Sequence, residues 1–256
     1  MIQTFVALGD SFSEGVGDPW PDGSWRGWAD RAAERMAAEW PGLRYANLAI
    51  RGKVVRQVIE DQVPAVEAMR PDLVSLAAGG NDLLRPGTEP DDLALLFNGA
   101  VERLAAAAGQ VLLFTGFDPG VFPLIRMIRG KVAAYNAHIR IIAARHDCLL
   151  ADLWSMRALA DPRMWSTDRL HLSAEGHRRV ALRACEVLGV PVDEDWREPL
   201  PARGAPAWAG ARWQDARWAQ SYAAPWMRRR LTGVSSGDGR SAKRPELLPV
   251  QSEVTG

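Results

Sequence analysis

The sequence predicts an α/β protein: a parallel sheet of about five strands with helices on both faces. Three observations carry this. Short apolar runs alternate with longer helical patterns along residues 3 to about 190. The runs are almost continuously apolar, as strands covered on both faces are. The helical segments repeat apolar residues at i, i+3, i+4 and i+7, the stripe of a helix laid on a sheet. Right-handed crossovers with one reversal after the first unit give the strand order 2-1-3-4-5.

The elements follow in order. Gln3 to Leu8 is the first strand. It stops at Gly9-Asp10-Ser11, followed by a polar segment with Gly15 and Gly17. Trp25 to Trp40 reads as a helix with Trp28, Ala29, Ala32, Ala33, Met36 and Ala37 on its apolar face. Ser24 is its expected N-cap, and Pro41-Gly42 ends it. Arg44 to Ala49 is the second strand and Val54 to Gln62 a short helix, with Pro64 opening a further turn. Leu73 to Ala77 is the third strand, running into Gly79-Gly80-Asn81-Asp82. Thr88, three residues before Asp91, starts a helix to Ala108. Gln110 to Thr115 is the fourth strand, Lys131 to Arg145 a helix and Cys148 to Leu153 the fifth strand. Ser173 caps a last helix to Leu188, which Gly189-Val190-Pro191 stops.

Composition narrows the function classes. The chain has 256 residues, enough for one α/β domain and an extension. Its 31 basic and 31 acidic residues cancel, so no basic field draws nucleic acid. No apolar run has the length of a membrane span, and the residues before the first strand are not expected to form a leader segment. The expected location is cytoplasmic. Cys148 and Cys185 sit in apolar surroundings and read as buried thiols. Residues 1–195 form the expected domain. Residues 196–232 are rich in Trp and Arg and read as a helical arm. Residues 233–256 are rich in Ser, Gly, Pro and charge and read as disordered.

Each chemistry-bearing group follows a predicted strand: Ser11 the first, Gly52 the second, Asn81 the third, and Asp168 with His171 the fifth. In a parallel sheet these ends share one edge, where ligands bind. A serine hydroxyl needs a base to attack at neutral pH, and His171 is the candidate. An imidazole needs a carboxylate to fix its tautomer and stabilise its cation, and Asp168 stands three residues away. The Ser11 N–H, the Gly52 N–H and the Asn81 amide are candidate oxyanion donors, each worth about 3 kcal/mol in a transition state. Alone, Gly9-Asp10-Ser11 is more often a helix cap than a nucleophile turn. The three other segments reverse that preference.

Together, Gly9-Asp10-Ser11, Gly52, Gly79-Gly80-Asn81-Asp82 and Asp168-Arg169-Leu170-His171 resemble the four signature segments of the SGNH hydrolases, or GDSL-type esterases and lipases. The resemblance implies a three-layer α/β/α flavodoxin-like fold. It implies Ser11 as nucleophile, His171 as base, Asp168 as its orienter, and Ser11, Gly52 and Asn81 as the oxyanion hole. It implies an acyl ester as substrate and no metal or organic cofactor. An acyltransferase on the same residues, and a flavodoxin-like binding protein that keeps the segments as turns, are the alternatives. The C-terminal segment is similar to the tail of actinobacterial members.

Other residues read as structural. Asp10 and Asp82 brace their turns through backbone N–H groups. His177 is a packed, hydrogen-bonded histidine, and His138 and His146 lie at the surface. No His, Cys and carboxylate cluster has metal-ligand spacing. The connection from Phe117 to Ile128 either lines an apolar acyl slot, with Phe122 and Ile125 in it, or packs on its own helix. The segment Asp18 to Gly23 is a second candidate pocket wall. The Trp/Arg-rich arm either packs back on the domain or binds a protein partner.

Overall fold

The computed structural model describes residues 2–122, 125–202, 221 and 235–250. The parallel strands are β1 (Thr4–Gly9), β2 (Arg44–Asn47), β3 (Leu73–Ala77), β4 (Gln110–Phe114) and β5 (Leu149–Ala151). A further strand, β6 (Arg244–Pro249), pairs antiparallel with β2, giving a six-stranded sheet in the order β5-β4-β3-β1-β2-β6. The parallel five keep the expected order, and every residue of β1 and β3 is buried.

Helices cover both faces. On one lie α2 (Gly27–Glu39) and α8 (Ala174–Leu188), whose Trp28, Ala32, Met36, Val180 and Ala184 meet Phe5, Leu73 and Leu112 of the strands. On the other lie α3 (Val55–Asp61), α4 (Val63–Met69), α6 (Pro90–Ala107) and α7 (Arg129–Arg145). Their Val58, Val66, Phe97, Leu104 and Ile139 meet Val6, Leu8, Val74 and Leu113. Alternate strand residues thus feed two separate apolar layers, as a period of two requires. Two single-turn helices, α1 (Ser11–Glu14) and α5 (Gly80–Leu83), stand at the carboxyl ends of β1 and β3.

Four details depart from the sequence expectation. The helix after the first turn begins at Gly27, because Ser24 donates through N–H and Oγ to Asp22 and Trp25 bridges back to Pro19. Thr88 is not the cap of α6. Glu89 is, and Pro90, at the start of the helix, supplies a preset φ. The second strand stops at Asn47, whose side-chain oxygen accepts from Ala49 N and turns the chain.

The fourth departure is the tail. Residues 235–250, within the segment expected to be disordered, are placed against the domain. The unpaired edge of β2 offers N–H and C=O groups that an added strand satisfies. Its prolines are tolerated at the edge position. The Trp-rich part of the expected arm, with Trp208, Trp213, Trp218 and Trp226, lies outside the described residues. Among the described residues no helix is long and apolar enough to cross a membrane. Cys148 and Cys185 are free thiols; Cys185 is buried as expected, whereas Cys148 is only half-buried.

Candidate active site

Ser11 is the first residue of α1, separated from the end of β1 by Asp10 alone. Gly9 makes the turn: its φ is 136°, and a Cβ there would overlap the Ala77 carbonyl. Only glycine fits this conformation and this approach. Asp10 caps α1, its Oδ1 accepting from Phe12 N at 3.1 Å. The capping role is therefore Asp10's, and the Ser11 hydroxyl is not the capping group.

Buried Gln62 fixes the turn from outside. Gly9 N donates to Gln62 Oε1 at 2.9 Å, and Gln62 Nε2 donates to Gly9 O at 2.9 Å. This side chain, at the end of α3, satisfies both backbone groups of the residue before the turn. Gln62→Ala leaves the Gly9 N–H unpaired in the core, at about 1–3 kcal/mol, while Gly9 O keeps Ile50 N at 3.3 Å. We expect a stability loss of about 2 kcal/mol, read as a lower midpoint in urea at unchanged slope. A midpoint within error of wild type would remove the clamp.

Asn81, in α5, faces the same turn. Its Nδ2 donates to Asp10 Oδ2 and to Lys53 O, each at 3.0 Å. Asp10 thus ties Ser11's turn to Asn81 as well as capping it, and receiving an oxyanion requires Asn81 to exchange one of these partners. Burial pushes the Asp10 carboxyl up to about 6, against the opposing pull of the Phe12 N–H, the His171 ring and the Asn81 amide. Asp82 accepts from Val55 N at 3.1 Å, bracing α3 against α5.

Asp168 and His171 share one tight turn. Asp168 Oδ1 accepts from Ser166 Oγ at 2.6 Å and from Leu170 N and His171 N, each at 3.0 Å. Its Oδ2 meets His171 Nδ1 at 2.6 Å. Arg169 adopts φ 56° so that both backbone N–H groups face one carboxylate oxygen. That conformation costs a non-glycine residue about 1–2 kcal/mol. Charge-assisted bonds, worth about 1.5–3 kcal/mol each, outweigh it. Burial alone would raise the Asp168 carboxyl, but the bonds from His171 and Ser166 outweigh burial and hold it well below the usual carboxylate range. An ionised Asp168 accepts only, so Nδ1 of His171 donates to it, and in the neutral ring Nε2 is the acceptor.

These groups meet at one cavity of about 230 Å³ at the carboxyl edge of the sheet. Ser11, Asn81 and His171 line it, with Asp168 behind His171. Its remaining wall is largely apolar and includes Phe114, Phe117, Ile125, Ile128, Val132, Ile139, Leu159 and Trp165. Gly52 is not in this wall. It stands in the adjoining loop, next to Lys53, whose carbonyl accepts from Asn81. Of the expected acyl-slot residues, Ile125 lines the cavity, while Phe122 packs edge-on against Trp165 and Phe117. None of residues 18–23 lines it; Asp18 instead pairs with Arg31 and accepts from Gly27 N.

Of the remaining histidines, His177 reaches the cavity, while His138 and His146 lie outside it, His146 against Asn98. His177 is fully buried, accepting from Trp28 N at 3.2 Å with its other nitrogen 3.2 Å from Val16 O. Burial pushes its ring down to about 4. His138 pairs with Asp91 at the surface. Among the described residues no cluster of His, Cys and carboxylates could hold a metal. The sequence reading missed Gln62, Ser166 and the Glu14–Arg51 pair. Of these only Ser166, a hydroxyl two residues before Asp168, carries a local signal.

Comparison with solved structures gives the same fold. LAE5, an alpha/beta hydrolase enzyme from the metagenome of Lake Arreo, is 23% identical over 73% of this chain and 95% of its own, with a TM-score of 0.63. TesA is 24% identical over 73% of this chain and 98% of its own, with a TM-score of 0.61. Axe2, an acetylxylan esterase from Geobacillus stearothermophilus, is 19% identical over 77% and 96%, with a TM-score of 0.57. No curated protein matches the chain by sequence. A sequence model of the GDSL-like lipase/acylhydrolase family matches residues 7–179, which span the Ser11 turn, Gly52, Asn81, Asp168 and His171. On that match the chain belongs to the GDSL-like lipase/acylhydrolase family.

Proposed function

We propose that the protein hydrolyses carboxylic esters through an acyl-enzyme on Ser11. His171 Nε2 takes the proton as Ser11 Oγ attacks the carbonyl carbon. It then returns that proton to the leaving alcohol, and water clears the acyl group by the same steps. Asp168 holds the imidazole in its tautomer and stabilises the cation. The Ser11 and Gly52 N–H groups and the Asn81 amide receive the oxyanion. The observation that carries this reading is the convergence of Ser11, Asn81 and the Asp168-bound His171 on one cavity.

The cavity also supports an acyl preference. Likeness to Axe2 carries the fold, so the substrate is argued from the walls. An acetyl group would leave most of a 230 Å³ apolar space unfilled, whereas an alkyl chain fills it. Each buried CH₂ contributes about 0.8 kcal/mol, a factor of about four in kcat/KM. Ile125→Trp narrows the cavity. With p-nitrophenyl esters of rising acyl length, we expect the optimum to move to shorter chains while acetate turnover stays near wild type. An unchanged profile would rule out this wall as the acyl site.

A further inference from the structure

Residues 235–250 lie beyond the family-matched residues 7–179, and they meet the domain at the Arg51–Gly52 loop. The approach is close in both directions. A Cβ built on Gly52 would overlap Ser235 Oγ, and a Cβ built on Gly237 would overlap the Arg51 carbonyl oxygen. The turn that makes these contacts is fixed from within. Ser235 N donates to Asp238 Oδ2 at 2.8 Å, and Gly237 N donates to Ser235 Oγ at 3.1 Å.

The same segment is anchored further along. Lys243 Nζ donates to Trp25 O at 2.9 Å, Arg26 O at 2.6 Å and the Asp30 carboxylate at 2.9 Å. Strand β6 then continues along β2, the strand that leads into the loop. On its other side the loop is tied to the helix that carries Ser11. Glu14, the last residue of α1, accepts from Arg51 N at 2.6 Å and from the Arg51 guanidinium. Arg51 also lies over the Trp25 ring, 5.6 Å from its centroid. Arg51–Gly52 is thus held between Glu14 and the C-terminal turn.

We propose that residues 235–250 are a positioning element for the oxyanion loop. The Ser235–Gly237 turn presses the Arg51–Gly52 peptide against Glu14 and so sets the direction of the Gly52 N–H. This rests on the reading of Ser11 as nucleophile and Gly52 as oxyanion donor. A donor must be aimed before reaction, and its misplacement acts on the transition state rather than on ground-state binding. The signature is therefore a loss in kcat with KM retained.

The test uses full-length protein and a p-nitrophenyl ester. Gly237→Ala forces a Cβ onto the Arg51 carbonyl and lifts the turn off the loop, touching no residue of the cavity. We expect kcat to fall roughly 10- to 100-fold, the scale of an ångström misplacement, with KM within about twofold. Ser235→Ala, in a half-exposed turn, lowers kcat in the same sense by a smaller factor and keeps the test readable if Gly237→Ala does not fold. Ser236→Ala, on the exposed side of the turn, leaves both constants unchanged. Wild-type kcat in folded Ser235→Ala, or in folded Gly237→Ala, would overturn the positioning role while Ser11→Ala stays inactive. Activity retained in Ser11→Ala would overturn the underlying reading and this inference with it.

Discussion

Ser11→Ala is expected to lose ester hydrolysis by roughly 10⁴-fold or more in kcat while folding as wild type does. The two halves of this expectation have separate causes. Activity goes because the variant has no oxygen at the turn to form the acyl bond. Any residue of rate comes from binding and the oxyanion donors alone. Folding stays because Ser11 carries none of the turn's structural bonds through its side chain. Asp10 caps α1, Gln62 holds Gly9, and Asn47 Nδ2 donates to Ser13 O at 2.7 Å. The measurement is kcat on a p-nitrophenyl ester beside a thermal melt. A variant that melts as wild type and still turns over would place the nucleophile elsewhere.

Asp168→Asn is expected to cost about 10³- to 10⁴-fold in kcat with modest change in KM. The asparagine oxygen still accepts from Leu170 N and His171 N, so the turn survives. The amide nitrogen, however, now faces His171 Nδ1 as a donor. The ring must then carry its proton on Nε2, the nitrogen the reaction needs as a base. Asp168→Ala removes the turn's acceptors as well and should lower stability in addition. Assays of both variants, paired with urea melts, separate the tautomer effect from the loss of the turn. Equal kcat in Asp168→Asn and wild type would show that this carboxylate does not set the tautomer.

The two substitutions also mark what the sequence revealed and what it hid. The meeting of Ser11 and Asn81 was legible because each follows a buried apolar strand and a parallel sheet gathers its strand ends, whereas Asp168 and His171 stand well past the short strand β5, after two single-turn helices. The cavity gathers Ser11, Asn81 and His171, with Asp168 bound to the last. Gly52 follows its strand in the same way but lies in the loop beside the cavity wall and is not part of it.

The groups that hold the turn were hidden for a physical reason. Gln62 meets Gly9 across 53 positions, and Arg51 meets Glu14 across 37. Such contacts carry no periodicity and no local motif, since a glutamine closing a helix looks the same whether it faces water or a backbone. Strand β6 was hidden for another reason. Its sequence, Arg244-Pro245-Glu246-Leu247-Leu248-Pro249, lacks alternation and has proline near both ends, which composition reads as disorder. What makes it a strand is the open edge of β2 and the half-buried Lys243 beside it, both outside the segment itself.

The central claim is that Ser11 becomes acylated during turnover, and covalent trapping tests it most directly. Wild-type protein is treated with a fluorophosphonate, and intact mass and peptide mapping are followed alongside residual esterase activity. The account predicts one adduct, on the peptide containing Ser11, with activity falling in step with its formation, and none in Ser11→Ala. Hydrolysis that continues with Ser11 fully modified, or an inactivating adduct on another residue with Ser11 unmodified, would contradict it.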